Sequence, residues 1–188
     1  GYIWSFPRTD HLAIGICAPA DRAAAPVLRQ HLDRWLAARD VARGCRMTPY
    51  SWPIPSLPVR AWADGVPAGE RWLLAGDAAG VVAPASGEGI YYAMSGGRFA
   101  ADAVDAFLTT GDERALAGAR KQFMRAHGRV FWILGMMQRF WYSSDKRRER
   151  FVSICRDPDV QRLTWQAYMH KKLVRANPMT HLRIFFKD

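Results

Sequence analysis

Two short, mostly apolar, β-like runs lie near the start of the chain, residues 2–6 and 12–17. The polar Pro7-Arg8-Thr9-Asp10 between them reads as the turn of a hairpin. A helical period follows. Val27, Leu28, His31, Leu32, Trp35 and Leu36 share the buried face of a helix over residues 26–39, with Asp21 as its cap and His31 as a core histidine. Four prolines within residues 49–58 exclude helix and favour an extended, irregular segment or an edge strand. The run RWLLA at residues 71–75 predicts a compact buried strand after a turn-like 65–70. Beyond it, Ile90, Met94, Ala101, Val104 and Leu108 recur at helical spacing and predict a helix over about 88–108. A second face of that helix is small: Ala93, Gly96, Gly97 and Ala100. From residue 113 only helices are expected, over 113–142, 145–155 and 158–175, with breaks at Asp157-Pro158 and Asn177-Pro178.

This order of elements predicts an α/β chain in the form of an α+β fragment with three parts. Residues 1–60 hold antiparallel sheet and one helix, 61–110 a strand–loop–helix, and 111–188 a helical region. Eight Trp, nine Phe and six Tyr in 188 residues exclude a disordered chain, because such a surface must be buried. The net charge of +10 is unevenly placed. Residues 1–112 carry ten Lys/Arg against eleven Asp/Glu, and residues 113–188 seventeen against six. The basic tail suits an anionic partner, nucleic acid or a membrane surface. No recognised nucleic-acid module accompanies it, so no nucleic-acid partner is expected. The run at 145–150 mixes signs and also reads as a solvated helix face. Three scattered cysteines and five histidines lack metal-ligand spacing, so no metal site is expected and a reducing, cytoplasmic setting is the simplest. The longest apolar run, residues 130–137, is too short to span a bilayer.

Candidate chemistry concentrates in residues 71–97. A strand delivers Asp77 at its carboxyl end, the side on which open α/β sheets bind ligands. Gly76 and Gly80, with Ala78 and Ala79, leave the backbone bare for close approach. After the rigid Pro84, Ser86-Gly87-Glu88-Gly89 opens a helix whose first turn offers unpaired N–H groups and about half a positive charge. The pairing suits a polyol hydroxyl at Asp77 and a delocalised anion at residues 87–90. Tyr91 and Tyr92 follow at once: one could protonate a substrate, or one packs in the core and the other at an interface.

The sequence GDAAG, then Pro84, then SGEGI and a small-residue helix resembles the second flavin-binding motif of the FAD-dependent reductases and hydroxylases. It is most similar to that of the geranylgeranyl reductase family. The opening GYIWSFPRTDHLAIGI resembles the family's hairpin from the substrate-side sheet, and the tail from residue 134 to 174 resembles its bacteriochlorophyll branch. The resemblance implies the carboxyl-terminal part of an FAD-binding, Rossmann-like flavoprotein with a remnant of the substrate-side sheet. It implies Gly76, Asp77, Gly80, Pro84, Gly87, Glu88, Gly89 and Ile90 as the FAD-binding set, with Asp77 on the ribityl chain and the amides of residues 87–90 on the ring edge. Tyr91 and Tyr92 would lie towards substrate. The implied reaction reduces three double bonds of a geranylgeranyl chain to phytyl, on the diphosphate or on a (bacterio)chlorophyll, with NADPH recharging FAD. Peripheral association with an anionic photosynthetic membrane would follow from the basic aromatic tail. The alternatives are an FAD-dependent monooxygenase or halogenase, and a helical membrane-surface or pigment-binding module. The family's amino-terminal G-x-G-x-x-G is absent here: at Gly87-Glu88-Gly89 the third glycine would fall at Tyr92. With no initial Met either, the expectation is a piece of a longer enzyme, inactive by itself.

Overall fold

The computed structural model describes residues 1–19, 25–56, 68–171 and 174. Two compact units share the chain, Gly1–Trp52 and Pro53–Asp188. In the first, β1 (Tyr2–Pro7) pairs antiparallel with β2 (Leu12–Cys17), Tyr2 opposite Cys17 and Pro7 opposite Leu12. The expected hairpin therefore forms, closed by an Arg8 N–H donating to the His11 carbonyl at 2.9 Å. Period-two alternation puts Tyr2, Trp4 and Phe6 on one face, where neighbouring rings lie 5.8 and 6.3 Å apart. The Trp4 ring covers Gly15 so closely that a Cβ there would fall 2.1 Å from it. Only glycine fits.

The helix α1 (Ala25–Arg39) matches the expected one in extent. Its buried face is narrower than the spacing implied. Leu36 is buried and Leu28, Leu32 and Trp35 half-buried, whereas Val27 and His31 are exposed. His31 is thus no core histidine, because a single hairpin strand, β2, covers only one stripe of α1. The expected cap, Asp21, lies outside the described residues.

In the second unit the compact buried strand over 71–75 shrinks. Only Trp72–Leu73 (β4) is strand, paired antiparallel with Ala68–Gly69 (β3). Trp72 and Leu74 are exposed, since among the described residues no further strand lies alongside. A 3-10 turn (Gly76–Ala79) leads into the loop and then α2 (Ile90–Thr110), which Gly111 ends in the left-handed conformation with its N–H on the Phe107 carbonyl. The expected helix 113–142 divides into a 3-10 turn (Glu113–Ala117) and α3 (Gly118–Trp141). Ser144 caps α4 (Asp145–Ile154), and Asp157 with Pro158 opens α5 (Pro158–His170), the Asp157 carboxylate accepting from the N–H groups of Asp159 and Val160. The break expected at Asn177-Pro178 lies outside the described residues.

The core of this unit gathers Ala79, Val81, Ala83, Tyr92, Phe123 and Phe131. It sits where α2 crosses α3, and the small residues of α2 make the crossing close. A Cβ on Gly96 would lie 3.8 Å from the Phe123 ring, in ordinary contact. The larger apolar stripe of α2 points elsewhere: Ile90 is 81% exposed, and Met94 and Leu108 are exposed with it. Helical period was legible, but it is the small face that packs. No helix among the described residues is long and apolar enough to cross a membrane.

Candidate functional site

The site is built where the 3-10 turn meets the start of α2. Gly76 and Gly80 both adopt positive φ, +58° and +67°, and wrap the chain tightly round Asp77. The Gly80 N–H donates to the Asp77 carbonyl at 2.9 Å, which fixes the turn and leaves the side chain exposed. Gly76 also approaches α2: a Cβ there would meet that of Ala93 at 3.3 Å.

Residues 81–84 are all buried and carry the chain across the core. Ser56 anchors this stretch, its hydroxyl donating to the Val82 carbonyl at 2.9 Å while Ser56 bridges to Val81. The loop then turns sharply. Ala85 and Gly87 have φ of +66° and +69°, the Gly87 N–H closes on the Ala83 carbonyl at 3.0 Å, and the Ala83 N–H reaches the Glu88 carbonyl at 2.8 Å. The Glu88 N–H takes the Ser86 hydroxyl at 3.3 Å. Two of the four expected amides are therefore engaged inside the loop. Those of Gly89 and Ile90 have no acceptor among the described residues and stand at the positive end of α2.

Asp77 and Gly89 are brought together. A Cβ on Gly89 would lie 3.3 Å from the Asp77 Oδ1 and 3.3 Å from the Val82 Cγ2. A carboxylate thus stands beside bare backbone and a helix N-terminus, an arrangement that can hold a hydroxyl and an anion at once. These are the chemical demands of a ribityl chain and a flavin ring edge, so the residues present fit FAD. Pro84 lies buried behind the loop and adds rigidity without contact chemistry.

The two tyrosines separate. Tyr92 is 2% exposed, its ring edge-on to Phe131 at 4.8 Å and to His127 at 5.2 Å. Burial, with help from the Glu88 charge, pushes its hydroxyl pKa up to about 12. Tyr91 is exposed and leans on Tyr92 and His127. His127 itself is buried, its Nε2 2.9 Å from the Ser95 hydroxyl, and its Nδ1 has no hydrogen-bond partner among the described residues. Burial pushes the His127 pKa down.

The helical tail grips the loop at two points that sequence reasoning missed. Tyr142, just past α3, donates to the Ala85 carbonyl at 3.3 Å. Lys171, just past α5, pairs with Glu88, their side chains only 13% and 18% exposed. The Lys171 ammonium also lies over the Tyr168 ring at 3.8 Å and the Tyr91 ring at 5.4 Å. No local sequence signal marks a pair separated by 83 residues.

No family model matches the chain, and no solved structure does. Curated proteins do. A geranylgeranyl diphosphate reductase of Rhodobacter capsulatus is 54% identical over 136 residues, covering 72% of this chain and 34% of that protein. One from Synechocystis is 35% identical over 191 residues, 99% of this chain and 46% of the relative. The digeranylgeranylglycerophospholipid reductase of the archaeon Methanothrix thermoacetophila is 31% identical over 187 residues, 95% of this chain and 45% of the relative. The chain spans between a third and a half of the length of these relatives. With one relative 54% identical over 72% of the chain and further diphosphate reductases aligned over 97–99% of it, the chain belongs to the geranylgeranyl diphosphate reductase family.

Proposed function

We propose that this chain contributes the ribityl- and ring-edge-binding part of an FAD-dependent geranylgeranyl reductase. The observation that carries the reading is the seat of the Asp77 carboxylate against Gly89, at the open end of α2. Asp77 accepts a hydrogen bond from a flavin hydroxyl. The amides of Gly89 and Ile90, backed by the helix dipole, face the anionic ring edge, and the Gly76, Gly80 and Gly87 turns keep side chains out of the way. Bound FAD supplies the hydride chemistry, recharged by NADPH. The chain's own residues orient the cofactor and favour its reduced, negatively charged form. The helix terminus contributes about 1 kcal/mol to that preference.

The substrate is a geranylgeranyl chain, as diphosphate or esterified to a chlorophyll-type pigment, reduced to phytyl. Support comes from the names of the relatives and from the greater identity to the Rhodobacter and Synechocystis diphosphate reductases, 54% and 35%, than to the archaeal lipid enzyme at 31%. Tyr91, exposed beside the loop, is the better placed of the two tyrosines to meet a substrate, whereas Tyr92 serves the core. The excess of Lys and Arg in residues 113–188 suits peripheral contact with an anionic photosynthetic membrane, where such a substrate dissolves.

The test uses the native polypeptide carrying this sequence, at the length its gene encodes. It is incubated with NADPH and geranylgeranyl diphosphate, and the prenyl products are resolved by mass. Stepwise gain of hydrogen at each of the three reducible double bonds is expected. A flavin-loaded protein that consumes NADPH and oxygenates the chain instead would overturn the reading in favour of a monooxygenase.

A further inference from the structure

Glu88 presents an electrostatic problem. Its own amide belongs to the loop that faces the flavin under the reading above, on which this inference rests, and a bare carboxylate there would oppose the anion that the helix terminus attracts. The carboxylate is half-buried and pairs with Lys171, which arrives from the far end of α5. We infer that Lys171 is a positioning residue for flavin binding, neutralising Glu88 and pinning the loop so that the end of α2 keeps its positive potential.

Three observations converge on Lys171. It closes α5 in the left-handed conformation, φ +52°, where helices ordinarily place glycine and a side chain costs roughly 1–2 kcal/mol. A lysine kept at such a position holds strain that the surroundings offset. Its ammonium is enclosed on two sides by Tyr168 and Tyr91 and on a third by Glu88, so its charge is largely desolvated and its position set. Finally, the loop it reaches is strained itself at Ala85, a non-glycine residue at positive φ, and Tyr142 holds the same loop from the end of α3. The helical tail is thereby a clamp on the loop.

The pair explains why Glu88 is tolerated in the loop. Removing the lysine leaves a half-buried, uncompensated carboxylate next to the loop amides, a worse state than losing both charges. Lys171→Met should therefore do more harm than Glu88→Gln/Lys171→Met together. Lys171→Arg keeps the charge, and should retain most of the function.

The experiment measures FAD affinity by fluorescence quenching and the flavin midpoint potential by dye-coupled reduction, in the native polypeptide and these three variants. Lys171→Met is expected to weaken binding of reduced FAD about tenfold more than of oxidised FAD, a midpoint about 30 mV lower. The double variant and Lys171→Arg should return most of the way. An unchanged potential and affinity in Lys171→Met, with flavin bound normally, would overturn the inference and leave the flavin site standing. Equal loss in the single and double variants would overturn it too, reducing the pair to a fold contact. Absence of flavin from the unmodified protein would instead remove the flavin reading, and this inference with it.

Discussion

Replacing Gly89 by alanine tests the link between the two halves of the motif. The backbone there, φ −115° and ψ −34°, admits alanine without strain, so the effect comes from space alone. The added methyl would lie 3.3 Å from the Asp77 Oδ1 and from the Val82 Cγ2, tighter than most such contacts. Val82 is 2% exposed and cannot yield without moving the core, whereas Asp77 is exposed and can. The carboxylate therefore shifts by a few tenths of an ångström. A charge-assisted hydrogen bond contributes about 1.5–3 kcal/mol. Losing part of it should cost about 1 kcal/mol of FAD binding, roughly fivefold in Kd. Melting without flavin should hardly change, because the smaller unfolded-state entropy of alanine offsets mild crowding. Flavin titration in the wild type, Gly89→Ala, Asp77→Ala and the double variant reads the coupling directly. In the Asp77→Ala background the methyl should cost almost nothing. The same fivefold loss there, or wild-type affinity in Gly89→Ala, would refute the claim that Gly89 acts through Asp77.

Other outcomes follow from packing and charge. Phe123→Ala removes one of the largest fully buried side chains and should cost about 3–5 kcal/mol in urea unfolding. Burial holds the His127 pKa below its ordinary 6.5, so the unfolded chain takes up the proton first as pH falls. Stability is then lost as pH drops from the unfolded value towards the folded one, and changes no further below it. His127→Gln should flatten that part of the stability–pH curve measured by urea midpoints. Tyr92→Phe should leave prenyl reduction within about threefold, since a ring buried against Phe131 and His127 is held by packing. A large drop in turnover with unchanged melting would give Tyr92 a chemical part.

Much of the site was legible because its chemistry is written in backbone demands. Gly76, Gly80 and Gly87 all occupy positive φ, and Gly89 lies where a side chain would crowd Asp77. Such positions announce themselves as glycines. The hairpin was legible too, from two short apolar runs, residues 2–6 and 12–17, on either side of a polar Pro7–Asp10 turn. Which helix face would pack was not. The stripe of Ile90, Met94 and Leu108 has the right period, yet period says only that a face is apolar, and the small face of α2 is the one that admits the Phe123 ring. Tyr91 and Tyr92 are identical in sequence terms, but one residue of helical rotation sends the second into the core and leaves the first exposed. Lys171 was invisible for another reason. A cation at the end of a helix already has an ordinary explanation in the dipole, and nothing local connects it to a glutamate 83 residues earlier.

The most direct measurement of the flavin site is the FAD content of the native polypeptide carrying this sequence, purified as wild type and as Asp77→Ala. Flavin is released by heat and quantified against protein. About one FAD per chain in the wild type is expected, with most of it lost on purification of Asp77→Ala, a weakening of roughly ten- to a hundredfold. Equal, near-stoichiometric FAD in both proteins, with equal affinity on titration, would contradict the assignment of Asp77 and of the site built around it.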